Sequence, residues 1–158
     1  MSGIDRPPAL EPTGIFEGLR PAAILLGVAC DNLATLLLSP LLVALFSGGA
    51  EGAREITPEA LEALYGSTNF LLSSLVVGLS CTAAGAFIGA RRAGCHFARH
   101  GAWIGVCAAL VGLACYPDPG HAHSLPPLWF DLLGFALLLP AGALGGMLAG
   151  AVAPRRAG

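Results

Sequence analysis

The chain has 158 residues, of which 55% are hydrophobic and only 11% are charged. Soluble domains carry about 25% charged residues, and a mean hydropathy of +0.73 excludes an ordinary soluble domain. The formal net charge of -2 offers no basic surface for a nucleic acid. The composition therefore predicts an all-α protein whose main partner is the lipid bilayer.

Four apolar segments meet or approach the length that a membrane span requires. A hydrocarbon core of about 30 Å needs about 20 residues of helix. In chain order, we predict an irregular cytoplasmic tail over 1–19, then a four-helix transmembrane domain over 20–154 with spans at about 21–46, 68–90, 100–116 and 128–152. The third span is short: it can be lengthened backwards through Phe97 and His100, whose ring can then reach the lipid headgroups, or the bilayer can thin locally.

The first loop, 48–66, contains a signal for the start of a helix. Thr57 is a good capping residue, Pro58 suits the first helical position, and Glu59 favours the positive end of the helix dipole. These residues predict a short helix from about 58 to 65. We interpret it as a connector at the outer surface rather than as a binding element.

The arginines are distributed unevenly between the two sides of the predicted bundle. Arg54 alone lies in the first loop, whereas the other seven flank the opposite ends of the spans: Arg6, Arg20, Arg91, Arg92, Arg99, Arg155 and Arg156. Basic residues concentrate on the cytoplasmic side of membrane proteins. The pattern predicts that both termini are cytoplasmic and that the 48–66 and 117–127 loops are external.

Small residues recur on one side of three predicted spans. In lipid, helices associate through close backbone approach at such residues. The predicted packing glycines are Gly78, Gly85 and Gly89 in the second span, Gly101 and Gly105 in the third, and Gly142, Gly146 and Gly150 in the fourth. Their partners could lie within one four-helix bundle or in a second copy of the chain.

The first span contains a carboxylate, Asp31, near its middle. A charged side chain at this depth costs about 2.5–3.5 kcal/mol and should face the bundle interior or water. We predict a polar intramembrane site from this residue and the polar residues around it: Asp31, Asn32, Thr35, Ser39, Ser73 and Ser80. Asp31 could be the titrating group of a proton or cation site, or a structural carboxylate bonded to a hydroxyl or carbonyl group. Asp131 lies nearer a boundary, where an interfacial role is expected.

Motifs for catalysis and for cofactor binding are absent from the sequence. There is no GxSxG, HExxH or P-loop pattern, so we expect no enzyme activity, no catalytic residue and no cofactor. The weak candidates for a metal site are His121, His123 and Cys115, which lack a defined further ligand. His96 and His100 are four residues apart, but the surrounding arginines oppose a metal there.

Three stretches resemble a loose class of uncharacterised small bacterial four-span membrane proteins. They are GVACDNLATLLLSPLL, AAGAFIGARRAGCHFARHGAWIGV and LWFDLLGFALLLPAGALGGMLAG. The resemblance implies a multi-pass protein of the bacterial inner membrane with both termini inside. It implies no activity, ligand or catalytic residue.

Three functional hypotheses follow. The first is a non-enzymatic accessory or structural subunit, or a homo-oligomer, that acts through helix packing with a membrane-protein partner or a second copy. The second is a small transporter or channel that uses Asp31. The third and weaker one is a metal-handling membrane protein.

Overall fold

A computed structural model describes residue 14 and residues 16–49, 57–116 and 126–154. Within these ranges the chain is helical and contains no strand: α1 Pro21–Phe46, α2 Pro58–Gly66, α3 Thr68–Ala93, α4 Phe97–Ala114 and α5 Leu128–Ala151. Of these, α1, α3, α4 and α5 are long and apolar enough to cross a membrane. The predicted all-α fold is confirmed, and the chain is a multi-pass integral membrane protein.

Local sequence signals account for the helix ends around α2 and α3. The Thr57 hydroxyl accepts a hydrogen bond from the Ala60 amide over 3.3 Å, and Ser67 accepts one from Phe70 over 3.5 Å. Gly94 ends α3 in the left-handed conformation, with φ of 70°, which glycine adopts without a Cβ penalty.

Successive long helices run in opposite directions, so the bundle has two distinct ends. We call one the arginine end, because Arg20, Arg91, Arg92 and Arg99 lie where α1 and α4 begin and α3 finishes. We call the other the α2 end, where α1 and α4 finish and α3 and α5 begin.

Glycine allows α1 and α3 to approach at backbone distance. A Cβ added to Gly85 would stand 2.5 Å from the Gly27 carbonyl oxygen, and one on Gly89 would stand 2.6 Å from that of Ala23. No larger residue fits at either position without moving a helix. The backbones of these two helices therefore touch over two turns.

The same kind of contact joins α5 to α4 and to α3. Cβ atoms on Gly101, Gly142 or Gly146 would overlap the backbone of the facing helix, and one on Gly145 would overlap that of Ala83. Gly105 packs in the same way, against the backbone of Leu138. The small-residue faces of these spans are thus used inside one chain, so they do not by themselves require a second copy.

Packing is tighter toward the arginine end than toward the α2 end. A Cβ on Gly78 would meet nothing within 4 Å, and one on Gly134 would meet only a side-chain methyl group of Leu75 at 3.9 Å. Gly78 is therefore not a close-contact residue here. The loose packing leaves space between the helices in the α2-end half.

Candidate functional site

Asp31 is the buried carboxylate of α1. The residue is 6% exposed and lies ten residues after Pro21 and fifteen before Phe46. Ten residues of helix rise about 15 Å, which is half the thickness of a bilayer core. The carboxyl group therefore lies in the middle of the helix bundle.

Thr82 of α3 is the hydrogen-bond partner of Asp31. Its hydroxyl oxygen lies 3.1 Å from Oδ1 of Asp31 and 3.2 Å from the carbonyl oxygen of Gly78. A hydroxyl carries one proton, so it donates to only one of these acceptors at a time. Thr82 is 1% exposed, and both partners of the pair lie in the core.

The second carboxyl oxygen of Asp31 keeps some exposed surface. No described residue donates a hydrogen bond to Oδ2, yet no buried side-chain oxygen or nitrogen in the described ranges lacks a partner. Oδ2 is therefore not sealed in the core.

Gly85 makes the approach of Asp31 to α3 possible. A Cβ on Gly85 would stand 2.9 Å from Cβ of Asp31 and 3.0 Å from its amide nitrogen. Both the close contact of α1 with α3 and the Asp31–Thr82 hydrogen bond thus depend on the absence of a side chain at Gly85.

The other predicted polar residues differ in their surroundings. Asn32 and Ser80 are exposed and bond carbonyl oxygens of their own helices, Val28 over 2.8 Å and Val76 over 2.7 Å. Their polar groups are satisfied locally, so they do not join Asp31. Ser73 is half-buried. Thr35 and Ser39 instead line a cavity.

This cavity, of about 250 Å³, lies in the α2-end half of the bundle. Hydroxyl groups of Thr35, Ser39 and Ser74 share its wall with aromatic and aliphatic side chains from α1, α2, α3 and α5. Gly78 lies in the wall as well, and its carbonyl oxygen is the second acceptor near Thr82. Thr35 is one turn from Asp31, so the cavity ends one helical turn from the Asp31–Thr82 pair.

At the arginine end, His100 is completely buried at 0% exposure. Its Nε2 accepts a hydrogen bond from the Arg20 amide over 3.0 Å, and its Nδ1 lies 3.2 Å from the His96 carbonyl oxygen. These partners assign the neutral ring with the proton on Nδ1. The prediction that this ring reaches the headgroups is wrong, because the ring instead holds the start of α1.

The segment before α1 packs on the same end of α4. The ring of Phe16 lies 5.0 Å from that of Trp103, and Arg99 donates a hydrogen bond to the Gly14 carbonyl oxygen. A Cβ on Gly18 would stand 3.0 Å from the ring of His96. The described part of the predicted tail is therefore docked, and residues 1–13 lie outside the described residues.

Asp131 has a separate partner near the α2 end. The Tyr116 hydroxyl donates a hydrogen bond to its Oδ2 over 2.5 Å. This bond raises the pKa of Tyr116, with desolvation and the carboxylate charge as smaller causes. The pair connects the end of α4 to the first turn of α5.

Of the weak candidates for a metal site, Cys115 lies within the described residues. His121 and His123 lie outside the described ranges, and Cys115 is exposed. Among the described residues, no three His, Cys, Asp or Glu side chains are grouped to hold a metal ion. The metal-handling hypothesis stays a prediction.

Sequence reasoning missed the partner of Asp31 and the role of His100. The sequence does place Thr82 on the same helical face as Gly78, Gly85 and Gly89. A hydroxyl group on such a face is expected to contact the neighbouring helix. For His100, the signal was the adjacent Gly101, which places this turn of α4 inside the bundle.

The four spans and the buried carboxylate define a small polytopic membrane protein with a polar site at its centre. The chain matches no protein-family model, no characterised protein and no solved structure. What the site does must therefore be inferred from its own geometry.

Proposed function

We propose that the protein is a small, non-enzymatic membrane transport protein in which Asp31 takes up and releases a proton. The observation that carries this proposal is the place of Asp31 at the boundary between two halves of the bundle. Toward the arginine end the helices touch through glycine, whereas toward the α2 end a hydroxyl-lined cavity ends one turn away.

The chemistry around Asp31 favours a proton over a metal cation. A hard divalent cation such as Ca²⁺ or Mg²⁺ takes about six or more oxygen ligands. Among the described residues, the carboxyl has one hydrogen-bond partner, the Thr82 hydroxyl, which also lies near the Gly78 carbonyl oxygen. A proton needs a single acceptor, and Oδ2 accepts no hydrogen bond from any described residue.

The arginine distribution supports an orientation for this site. With the arginine end in the cytoplasm, both termini are inside and the cavity lies in the outer half of the bundle. The resemblance to small four-span proteins adds a bacterial inner membrane to the proposal. In this orientation, the closely packed half of the bundle lies between the Asp31 carboxyl group and the cytoplasm.

The test is proton flux into proteoliposomes under an imposed pH gradient and membrane potential. We expect flux with the wild type and its loss in Asp31→Asn, which keeps the size of the side chain but cannot titrate. Asn32→Ala is the matched control, since Asn32 is adjacent, exposed and bonded to its own helix. Wild-type liposomes that are no more permeable than protein-free liposomes would refute the proposal.

An accessory or structural subunit is the second candidate. It is favoured by the fact that the Asp31–Thr82 bond also ties α1 to α3, as a purely structural bond would. Large leucines cover the surface of α1, including Leu25, Leu36, Leu41 and Leu45, and they offer an apolar face to lipid or to a partner helix. Co-purification at native expression tests this candidate: a stoichiometric membrane partner, together with no flux, would favour it over transport.

A further inference from the structure

We propose that Ile104 is the barrier that closes the Asp31 site toward the arginine end. The proposal rests on the proposed proton transport, and it names the residue that would separate the carboxyl group from the cytoplasm. It starts from the contacts of one side chain of α4 that reaches between α1 and α3.

Ile104 fills the space that two glycines leave. Its Cδ1 would lie 2.5 Å from a Cβ on Gly27 and 2.6 Å from a Cβ on Gly89. The side chain is 0% exposed, so no open path runs beside it. The aliphatic side chain of Ile104, from α4, therefore fills the interface between α1 and α3, and we call this contact the seal.

The seal lies directly next to the proton site. Gly27 is one helical turn before Asp31 on α1, and Gly89 lies two turns beyond Thr82 on α3. From Asp31, the next layer toward the arginine end thus contains Ile104. Toward the α2 end, the next layer contains Thr35 and the cavity.

A second buried titratable side chain lies beyond the seal. His100 is one turn from Ile104 on α4, on the same face, and is also 0% exposed. Its ring accepts a hydrogen bond from the backbone amide of Arg20, and its Nδ1 faces the backbone carbonyl oxygen of His96. Along the bundle, Ile104 therefore lies between the level of Asp31 and the level of His100.

The barrier must be apolar and large to work. Hydrocarbon in the gap offers water no hydrogen-bond partner, whereas a cavity about the size of one water molecule, with polar neighbours, can be occupied. Shortening Ile104 creates such a space between the Asp31–Thr82 pair and His100. We expect water in that space to carry protons through the bundle by way of Asp31.

The experiment measures proton flux into proteoliposomes under the pH gradient and membrane potential of the transport test, called the leak below, for the wild type, Ile104→Ala, Ile104→Leu and the double variant Ile104→Ala with Asp31→Asn. We expect the leak to rise about tenfold or more in Ile104→Ala, to stay near the wild-type rate in Ile104→Leu, and to be abolished in the double variant. Leu110→Ala is the matched control, because it removes a similar side chain from the exposed face of the same helix. Ile104→Val, a smaller truncation, should give an intermediate rise if Ile104→Ala does not fold.

The outcomes separate this proposal from the transport proposal. An Asp31-dependent wild-type flux with unchanged leak in folded Ile104→Ala and Ile104→Val would overturn the barrier alone. A raised leak that persists in the double variant would overturn it too, since protons would then bypass Asp31. No flux that depends on Asp31 in any variant would overturn the transport proposal itself.

Discussion

The backbone amide of Arg20 and the buried ring of His100 are joined by a 3.0 Å hydrogen bond that connects residues 80 positions apart. Arg20 is the residue before α1, and the helix has no side-chain cap there. His100 therefore supplies an acceptor at the point where α1 starts. The bond fixes the helix that carries Asp31 to the helix that carries Ile104.

We expect His100→Ala to loosen the start of α1 and the docked segment before it. Loss of the acceptor leaves a partly buried amide unpaired, which costs about 1–3 kcal/mol. Hydrogen exchange at the Arg20 amide should accelerate, and Trp103 emission should change as Phe16 moves away, measured in a Trp129→Phe background.

His100→Gln is the control for that prediction. Glutamine has one acceptor and one donor group and can replace both bonds of the ring. Its exchange rate should stay close to that of the wild type. Equal protection of the Arg20 amide in the wild type and in His100→Ala would show that the bond does not hold α1.

Close glycine packing predicts opposite effects of alanine at two positions. Gly146→Ala should destabilise the bundle by about 1–3 kcal/mol, because the new Cβ overlaps the Phe97 carbonyl. Gly78→Ala should be neutral or stabilising by up to about 1 kcal/mol, because its Cβ meets open space and alanine favours the helix. Unfolding by titration with a denaturing detergent measures both, and equal stability of the two variants would contradict the packing.

The Tyr116–Asp131 hydrogen bond predicts that Tyr116 ionises at a higher pH than a free tyrosine. Because its pKa is raised, Tyr116 stabilises the fold fully below the pKa of an unfolded tyrosine, and this stabilisation is lost as the pH rises through the raised value. Phenolate absorbance should show Tyr116 ionising at higher pH than a free tyrosine, and Asp131→Asn should move that ionisation to lower pH. A Tyr116 titration that Asp131→Asn leaves in place would mean that the bond does not form in solution.

Thiol labelling tests the proposed orientation. Cys115 is exposed near the α2 end and Cys95 is half-buried near the arginine end, so each marks one side. In single-cysteine variants, a membrane-impermeant maleimide should label Cys115 on intact spheroplasts and Cys95 only after permeabilisation. The reverse pattern would place the arginine end outside.

Much of the fold could be predicted from local sequence properties. Apolar length identified the four long helices, and the Thr57-Pro58-Glu59 signal precedes the observed α2. Gly101 and Gly146 were predicted as packing residues from their spacing alone, and both lie against a facing backbone. These properties depend on residues close together in the chain, which is why the sequence reveals them.

The site was less predictable because it depends on which helices pack together and on which residues of each helix lie at the same level along the bundle. Asp31 was identified from the free-energy cost of placing a carboxylate in lipid. Nothing near it in the chain indicates its partner Thr82, which lies 51 positions away. His100 was expected at the headgroups because a polar ring near the end of a span can reach them. Its burial follows from the chain before α1 folding back over α4, a contact between distant segments.

The measurement that tests the central claim most directly is proton flux through proteoliposomes of wild-type and Asp31→Asn protein at matched reconstitution. A proton-carrying Asp31 predicts flux that exceeds protein-free liposomes in the wild type and falls to their level in the variant, with Asn32→Ala unaffected. Equal flux in the wild type and Asp31→Asn, or none in either, would contradict it.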